Sequence, residues 1–199
     1  MPCPALLRPA ALLIGLSLLA GTAPASAKDV PAPAAHVDAD GPYVFREGDH
    51  LRAQWVCADA VETHTVAAGT GQADIAARCG HAHAVHVVPA EAPSPAVLPA
   101  VPRIVALSDI HGQYALLVRL LRAHHVIDAQ DRWSLGSDTL VVAGDVFDRG
   151  PQVTEAFWLL YGLQQQAAAA GGAVHFVLGN HETMVLYDDL RYVNPKYLR

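Results

Sequence analysis

The chain has 199 residues, 52% of them hydrophobic, 16% charged and 7% aromatic, a balance too apolar for a mainly disordered protein. Lys+Arg 13 against Asp+Glu 19 gives a formal charge of -6 with no basic run, which argues against a nucleic-acid scaffold. The length admits one ordinary domain or two small ones, and no collagen period, heptad array or solenoid repeat is present.

Residues 1–27 read as a secretory signal peptide. Arg8 is their only charge, an apolar run follows from Ala10 to Ala20, and Ala25-Ser26-Ala27 supplies a small-x-small cleavage site. The run suits an h-region and is short for a membrane span; an uncleaved N-terminal anchor is the other reading. The expectation is an exported protein, periplasmic or extracellular, that begins at Lys28 and has no span after cleavage. Cys3 leaves with the signal. Cys57 and Cys79 remain as an even pair in an oxidising compartment, where a disulfide is expected and two buried thiols are the alternative.

Residues 28–40, rich in Pro and Ala, read as a loose lead-in. Residues 41–88 carry strand patterning. Leu51, Ala53, Trp55 and Cys57 alternate with Arg52, Gln54 and Val56, the run from Val61 to Ala67 alternates again, and His81 to Val88 forms a third short run. This predicts a small β module stapled by Cys57 and Cys79. Residues 89–102 contain Pro89, Pro93, Pro95, Pro99 and Pro102 and read as a linker.

From residue 103 to 199 the pattern changes. Arg103 to Leu107, Thr139 to Ala143 and Ala173 to Leu178 are short buried-type strands. Gln113 to His124 places Leu116, Leu117, Leu120 and Leu121 at helical spacing. Thr154 to Ala170 is a second helix, with Pro151 near its start and Gly171-Gly172 at its end, and a third follows His181. Strands alternating with helices predict an α/β fold with a mainly parallel sheet. Asp131 to Asp138 is expected as a small hairpin or loop excursion.

Each of these strands runs into a polar cluster: Ser108-Asp109-Ile110-His111-Gly112, Gly144-Asp145-Val146-Phe147-Asp148-Arg149-Gly150, and Gly179-Asn180-His181-Glu182. The carboxyl ends of parallel strands line one crevice, so Asp109, His111, Asp145, Asn180 and His181 should converge. Carboxylates, imidazoles and an amide oxygen are ligands for divalent metals such as Mn, Fe or Zn.

The three clusters resemble the D-x-H-G, G-D-x-x-D-R-G and G-N-H-E motifs of the calcineurin-like metallophosphoesterases. The complete second motif and the Glu after G-N-H resemble the phosphoprotein phosphatase branch. The stretch from Gly179 to Tyr192 is similar to bacterial Shewanella-like phosphatases. The resemblance implies a layered α/β fold and two divalent metal ions. It implies that Asp109 and His111 hold the first ion, that Asp145 bridges, and that Asn180 ligates the second. It further implies that a metal-activated hydroxide attacks phosphorus, that His181 protonates the leaving group, that Asp148 orients His181, and that Arg149 grips phosphate oxygens. The substrate it implies is a phosphorylated protein (on Ser, Thr or Tyr) or a small phosphomonoester. Alternatives are a nucleotide or dinucleoside polyphosphate hydrolase on the same metal core, and a non-catalytic metal- or partner-binding protein.

This chain departs from the family: Ser108 stands where many relatives have Gly, and only Arg191 and Arg199 remain downstream for a second phosphate-binding Arg. The second ion takes two later histidines in the family, and no histidine follows His181 here. The chain is therefore expected to be the N-terminal half of a metallophosphoesterase fold, truncated at its C-terminus and behind a small β module. Such a half-domain should leave an apolar face and a sheet edge uncovered. Other polar residues receive plainer readings. Glu182 is expected as a structural first-turn acid, His124-His125 as a helix end, and His81, His83 and His86 as a solvated strand. Trp55, Trp133 and Trp158 are expected as packing residues.

Overall fold

A computed structural model of the protein describes residues 39–58, 60–80, 84–89, 97–98 and 100–198. The expected signal peptide, residues 28–38 of the lead-in, most of the linker, and His81 and His83 lie outside them. No helix among the described residues is long and apolar enough to cross a membrane.

Three antiparallel strands come first: β1 (Ala39–Glu47), β2 (His50–Cys57) and β3 (Ala60–Ala67), in the order β1-β2-β3. The alternation in β2 does what its period requires, burying Leu51, Ala53 and Trp55 while the residues between them stay half-exposed. β1 was not legible as a strand, because Gly41-Pro42 interrupts its pattern. The structure accommodates that pair in a register shift between Asp40 and Tyr43. Asp40, assigned to the loose lead-in by composition, belongs to β1 and is buried. A two-stranded ribbon follows, β4 (Ala73–Ile75) against β5 (Val85–Val87). Cys57 and Cys79 are disulfide-bonded, with Cα atoms 5.3 Å apart.

The second part is a parallel sheet, β6 (Ile104–Leu107), β7 (Thr139–Val142) and β8 (Ala173–Phe176), in the order β6-β7-β8. Helices α1 (Tyr114–Ala123) and α2 (Val153–Ala169) connect the strands, and α3 (Asn180–Leu186) follows β8. Val105, Leu140 and Val174 stand in one cross-strand row and Leu107, Val142 and Phe176 in another. Except for the exposed Phe176, these rows meet Leu117, Val118 and Leu121 of α1 and Ala156, Leu160, Leu163 and Ala167 of α2 in one core. The leucine pairs of α1 do not all point inward as their spacing predicts. Leu116 and Leu120 are exposed, and Val118 takes a place in the core instead. Asp131 to Asp138 forms no hairpin; a single antiparallel bridge joins Ile127 to Trp133.

α2 has two apolar faces. One lies on the parallel sheet. From the other, Trp158 packs against the core formed by Leu51, Ala53, Trp55, Ile75 and Val87. Trp158 Nε1 donates to the Pro42 carbonyl at 3.0 Å, and Tyr161 Oη accepts from the Val88 N–H at 3.0 Å. The β module thus sits directly on α2 within one compact unit. Trp158, expected as a packing residue, does its packing across this junction.

Candidate active site

The three loops at the carboxyl ends of β6, β7 and β8 carry the candidate residues and are bound to one another. The His111 N–H donates to the Asp145 carbonyl at 2.9 Å, Gly112 to Val146 at 2.9 Å, and Gly150 to His111 at 3.0 Å. Contact is close enough to dictate residue type. A Cβ on Gly179 would stand 2.2 Å from Asp145 Oδ1, and one on Gly150 would stand 2.3 Å from the His111 carbonyl. Asp109, His111, Asp145, Asp148 and Arg149 all have φ between 47° and 70°, the left-handed region that costs an L-residue about 1 kcal/mol or more. Five such residues in the two loops after β6 and β7 mark this as the strained part of the fold.

His111, Asp145 and His181 each present a ligand-type atom, and these atoms lie within 4.8 Å of one another. Asp109 joins through its Oδ1, 3.8 Å from His111 Nε2. The imidazoles pack edge to face with centroids 4.6 Å apart. His111 Nδ1 lies 2.8 Å from the Phe147 carbonyl. That oxygen can only accept, so Nδ1 carries the hydrogen and Nε2 keeps its lone pair for a metal. Asp109, His111 and Asp145 therefore make a donor set that fits a divalent cation. Asn180 occupies the first position of α3 and is exposed, one residue before His181.

His181 is buried, and its Nδ1 lies 2.7 Å from Asp148 Oδ2, itself buried. The carboxylate fixes Nδ1 as the protonated nitrogen and leaves Nε2 as the working one. Asp148 was expected to orient His181, and the two are in contact. The His181 backbone N–H also donates to Asp145 Oδ1 at 3.1 Å, so one short segment touches both the cluster and the dyad. Arg149 lies on the surface, its guanidinium 5.9 Å from the Tyr192 ring, and no carboxylate pairs with it among the described residues.

Glu182 does more than end a helix. Its Oε2 accepts the N–H groups of Asp145 and Gly179 at 2.8 and 2.7 Å, and its Oε1 those of Val146 and Phe147 at 2.8 and 2.9 Å. Burial pushes the carboxyl upward, but the four N–H bonds outweigh it and hold it below the ordinary glutamate range. The bond to Gly179 is half of a capping box; the other three have no local sequence signal, because their donors come from another loop. Ser108 donates its hydroxyl to Asp109 Oδ2.

Likenesses to known proteins bear on the family and the fold. A model of the calcineurin-like phosphoesterase family matches residues 102–198. Shewanella-like protein phosphatase 2 of Arabidopsis thaliana is 38% identical over 96 residues, which are 48% of this chain and 25% of that protein. Shewanella-like protein phosphatase 1 of Plasmodium berghei is 38% identical over 94 residues, 47% of this chain and 26% of that protein. Among solved structures, a cold-active protein-tyrosine phosphatase of a psychrophilic Shewanella species superposes with a TM-score of 0.68 at 38% identity. That likeness covers 80% of this chain and 48% of the other, more of this chain than residues 102–198 supply, so it takes in the β module as well. The chain spans about half the length of the solved relative, and the matched stretches about a quarter of the curated ones. The motifs, the parallel sheet and these likenesses converge: residues 102–198 are a calcineurin-like phosphoesterase domain with the mixed α/β fold of the metallophosphoesterases.

Proposed function

We propose that the protein hydrolyses phosphomonoesters with the help of two divalent metal ions, manganese, iron or zinc, and that its substrates are phosphorylated protein side chains. The observation that carries this reading is the buried His181–Asp148 pair set against His111 and Asp145. Asp148 leaves His181 Nε2 as the working nitrogen beside the cluster, where it can serve a leaving oxygen as proton donor; whether it instead ligates is what the His181→Ala metal titration below decides. Asp109, His111 and Asp145 would hold one ion, and Asp145 with Asn180 would begin a second site. Divalent ions there supply charge that polarises a phosphoryl oxygen and acidifies water. With Nδ1 committed to Asp148, a protonated His181 presents its Nε2 proton to the departing oxygen as general acid. Arg149 offers its planar fork to the non-bridging oxygens. Two Shewanella-like protein phosphatases match longer stretches of this chain (96 and 94 residues) than a symmetrical bis(5'-nucleosyl)-tetraphosphatase of Methylococcus capsulatus does (83 residues at 37% identity), so a dinucleotide hydrolase on the same core is not the reading we adopt. The signal-like N-terminus and the disulfide support action after export.

The test is phosphate release from phosphotyrosine and phosphoserine peptides, with a dinucleoside tetraphosphate beside them and manganese titrated in. Asp145→Asn is expected to lose both manganese affinity and turnover. His181→Ala is expected to lower kcat by about 10²–10⁴-fold while leaving manganese affinity unchanged. Loss of manganese binding in His181→Ala would make His181 a ligand rather than the acid, and turnover of the dinucleotide alone would overturn the substrate reading.

A further inference from the structure

Arg149 rests on a scaffold that reaches back to the N-terminal module. Its N–H donates to the Tyr192 carbonyl at 2.8 Å, and its own carbonyl accepts from Asn194 Nδ2 at 2.8 Å. Residues 192–197 contain no regular element except a 3-10 turn, Pro195–Tyr197, so something outside the segment must hold it. Lys196 does this. Its ammonium donates to the Pro151 carbonyl at 2.7 Å and stands in ion-pair range of Asp40 Oδ1 at 3.1 Å and Glu155 Oε1 at 3.6 Å. The Lys196 and Asp40 side chains are 12% and 4% exposed, so this is a desolvated pair, whose breakage leaves a buried charge without a partner. Asp40 Oδ2 in turn accepts from Tyr43 Oη and from Thr154 Oγ1. Tyr197 Oη closes the arrangement, accepting from the Val153 N–H and donating to the Pro151 carbonyl, both at 2.8 Å.

Asp40 lies on β1, outside residues 102–198; Glu155 of the phosphoesterase domain also faces Lys196, but from farther away (3.6 against 3.1 Å) and from a less buried position. Both walls of the Arg149-Gly150-Pro151 turn, one through Tyr192 and Asn194 and one through Lys196 at Pro151, depend on where residues 192–197 lie. We infer that Asp40 of the β module is a positioning residue for Arg149, acting through Lys196, and that the module thereby forms part of the phosphate-binding machinery. The inference rests on the reading of Arg149 as the phosphate grip. A left-handed arginine (φ 64°) relaxes readily once its supports loosen, which makes the turn sensitive to a contact made at a distance.

The test measures the affinity of the full, manganese-loaded protein for inorganic phosphate in four forms: unaltered, Asp40→Asn, Arg149→Ala and the double variant. Asp40→Asn is expected to weaken phosphate binding about tenfold, with KM for an aryl phosphate rising in step and kcat changing less than about twofold. In the Arg149→Ala background the same substitution should change nothing, because coupled residues are non-additive. Hydrogen exchange at the Arg149 amide should quicken in Asp40→Asn, while exchange in β6 and β7 stays unchanged. Equal losses in both backgrounds would reduce Asp40 to a general support, and no loss in either would overturn the inference. If Arg149→Ala itself leaves phosphate affinity intact, the reading of Arg149 fails separately, and the hydrogen-exchange result then decides whether Asp40 still orders the turn.

Discussion

A single carboxylate holds the two most important loops in register. Glu182 is 2% exposed and satisfied by four backbone N–H groups drawn from the loops after β7 and β8. Glu182→Gln keeps the shape but turns one oxygen into a donor, so two N–H groups would face an NH₂. Such a mismatch in a buried site costs about 3 kcal/mol, and the substitution is expected to lower the denaturation midpoint accordingly. The pH dependence follows from the direction of the shift. The folded pKa lies below the unfolded one, so the stabilisation is complete above the ordinary glutamate pKa of about 4.3 and is lost as pH falls through the lower folded value. Unaltered protein should therefore lose stability below about pH 4, with part of that acid limb missing in Glu182→Gln. Urea titrations at pH 7, 5 and 3.5 check both statements; an identical acid limb in the variant would count against them.

At the level of elements, α2 carries the most weight, because its two faces serve two cores. Leu163 is fully buried on the sheet side with Ala156, Leu160 and Ala167, while Trp158 faces the β module. Leu163→Ala is expected to cost about 3 kcal/mol through lost burial and the cavity left behind, and a shift in Cm at constant m would show it. The strands and helices of residues 103–186 were legible to within a residue or two, since each apolar run has one period and ends at Gly, Asp or Pro. Asp109, His111, Asp145, Asn180 and His181 stood out as candidates for the same reason, as polar residues behind three strand ends, whereas Asp148 and Arg149 became candidates only through the family resemblance. The rest depends on distant pairing. β1 is masked by Gly41-Pro42, the seating of Trp158 on Pro42 joins residues more than a hundred apart, and the N–H groups on Glu182 come from a loop that no local rule connects to it. Leu116 and Leu120 share the helical spacing of Leu117 and Leu121, yet spacing alone does not say which face meets the sheet.

Over the whole molecule, the distribution of apolar surface is lopsided. Both helices of the parallel sheet lie on one side. The opposite face carries Ile104, Ala106 and Val141 in adjoining rows, and no described residue of the chain covers it as a layer. Ile104 is 60% exposed, and β6 and β8 each have a free edge within this sheet. Leu116, Val177, Leu178 and Leu186 add further exposed apolar side chains. A contiguous apolar face beside an unpaired strand edge promotes association, because edge pairing satisfies backbone groups while the face is buried. This 199-residue chain, studied by itself, is therefore expected to self-associate at micromolar concentration and to bind a hydrophobic dye. Ile104→Lys places a charge on that face and on an edge strand, where lysine blocks pairing. It should reduce both association and dye binding without lowering the unfolding temperature, since Ile104 contributes nothing to the core beneath the helices. Sedimentation velocity over a concentration series separates the outcomes. A monomer at all concentrations, with no dye bound, would mean that this face is covered by something other than a second copy.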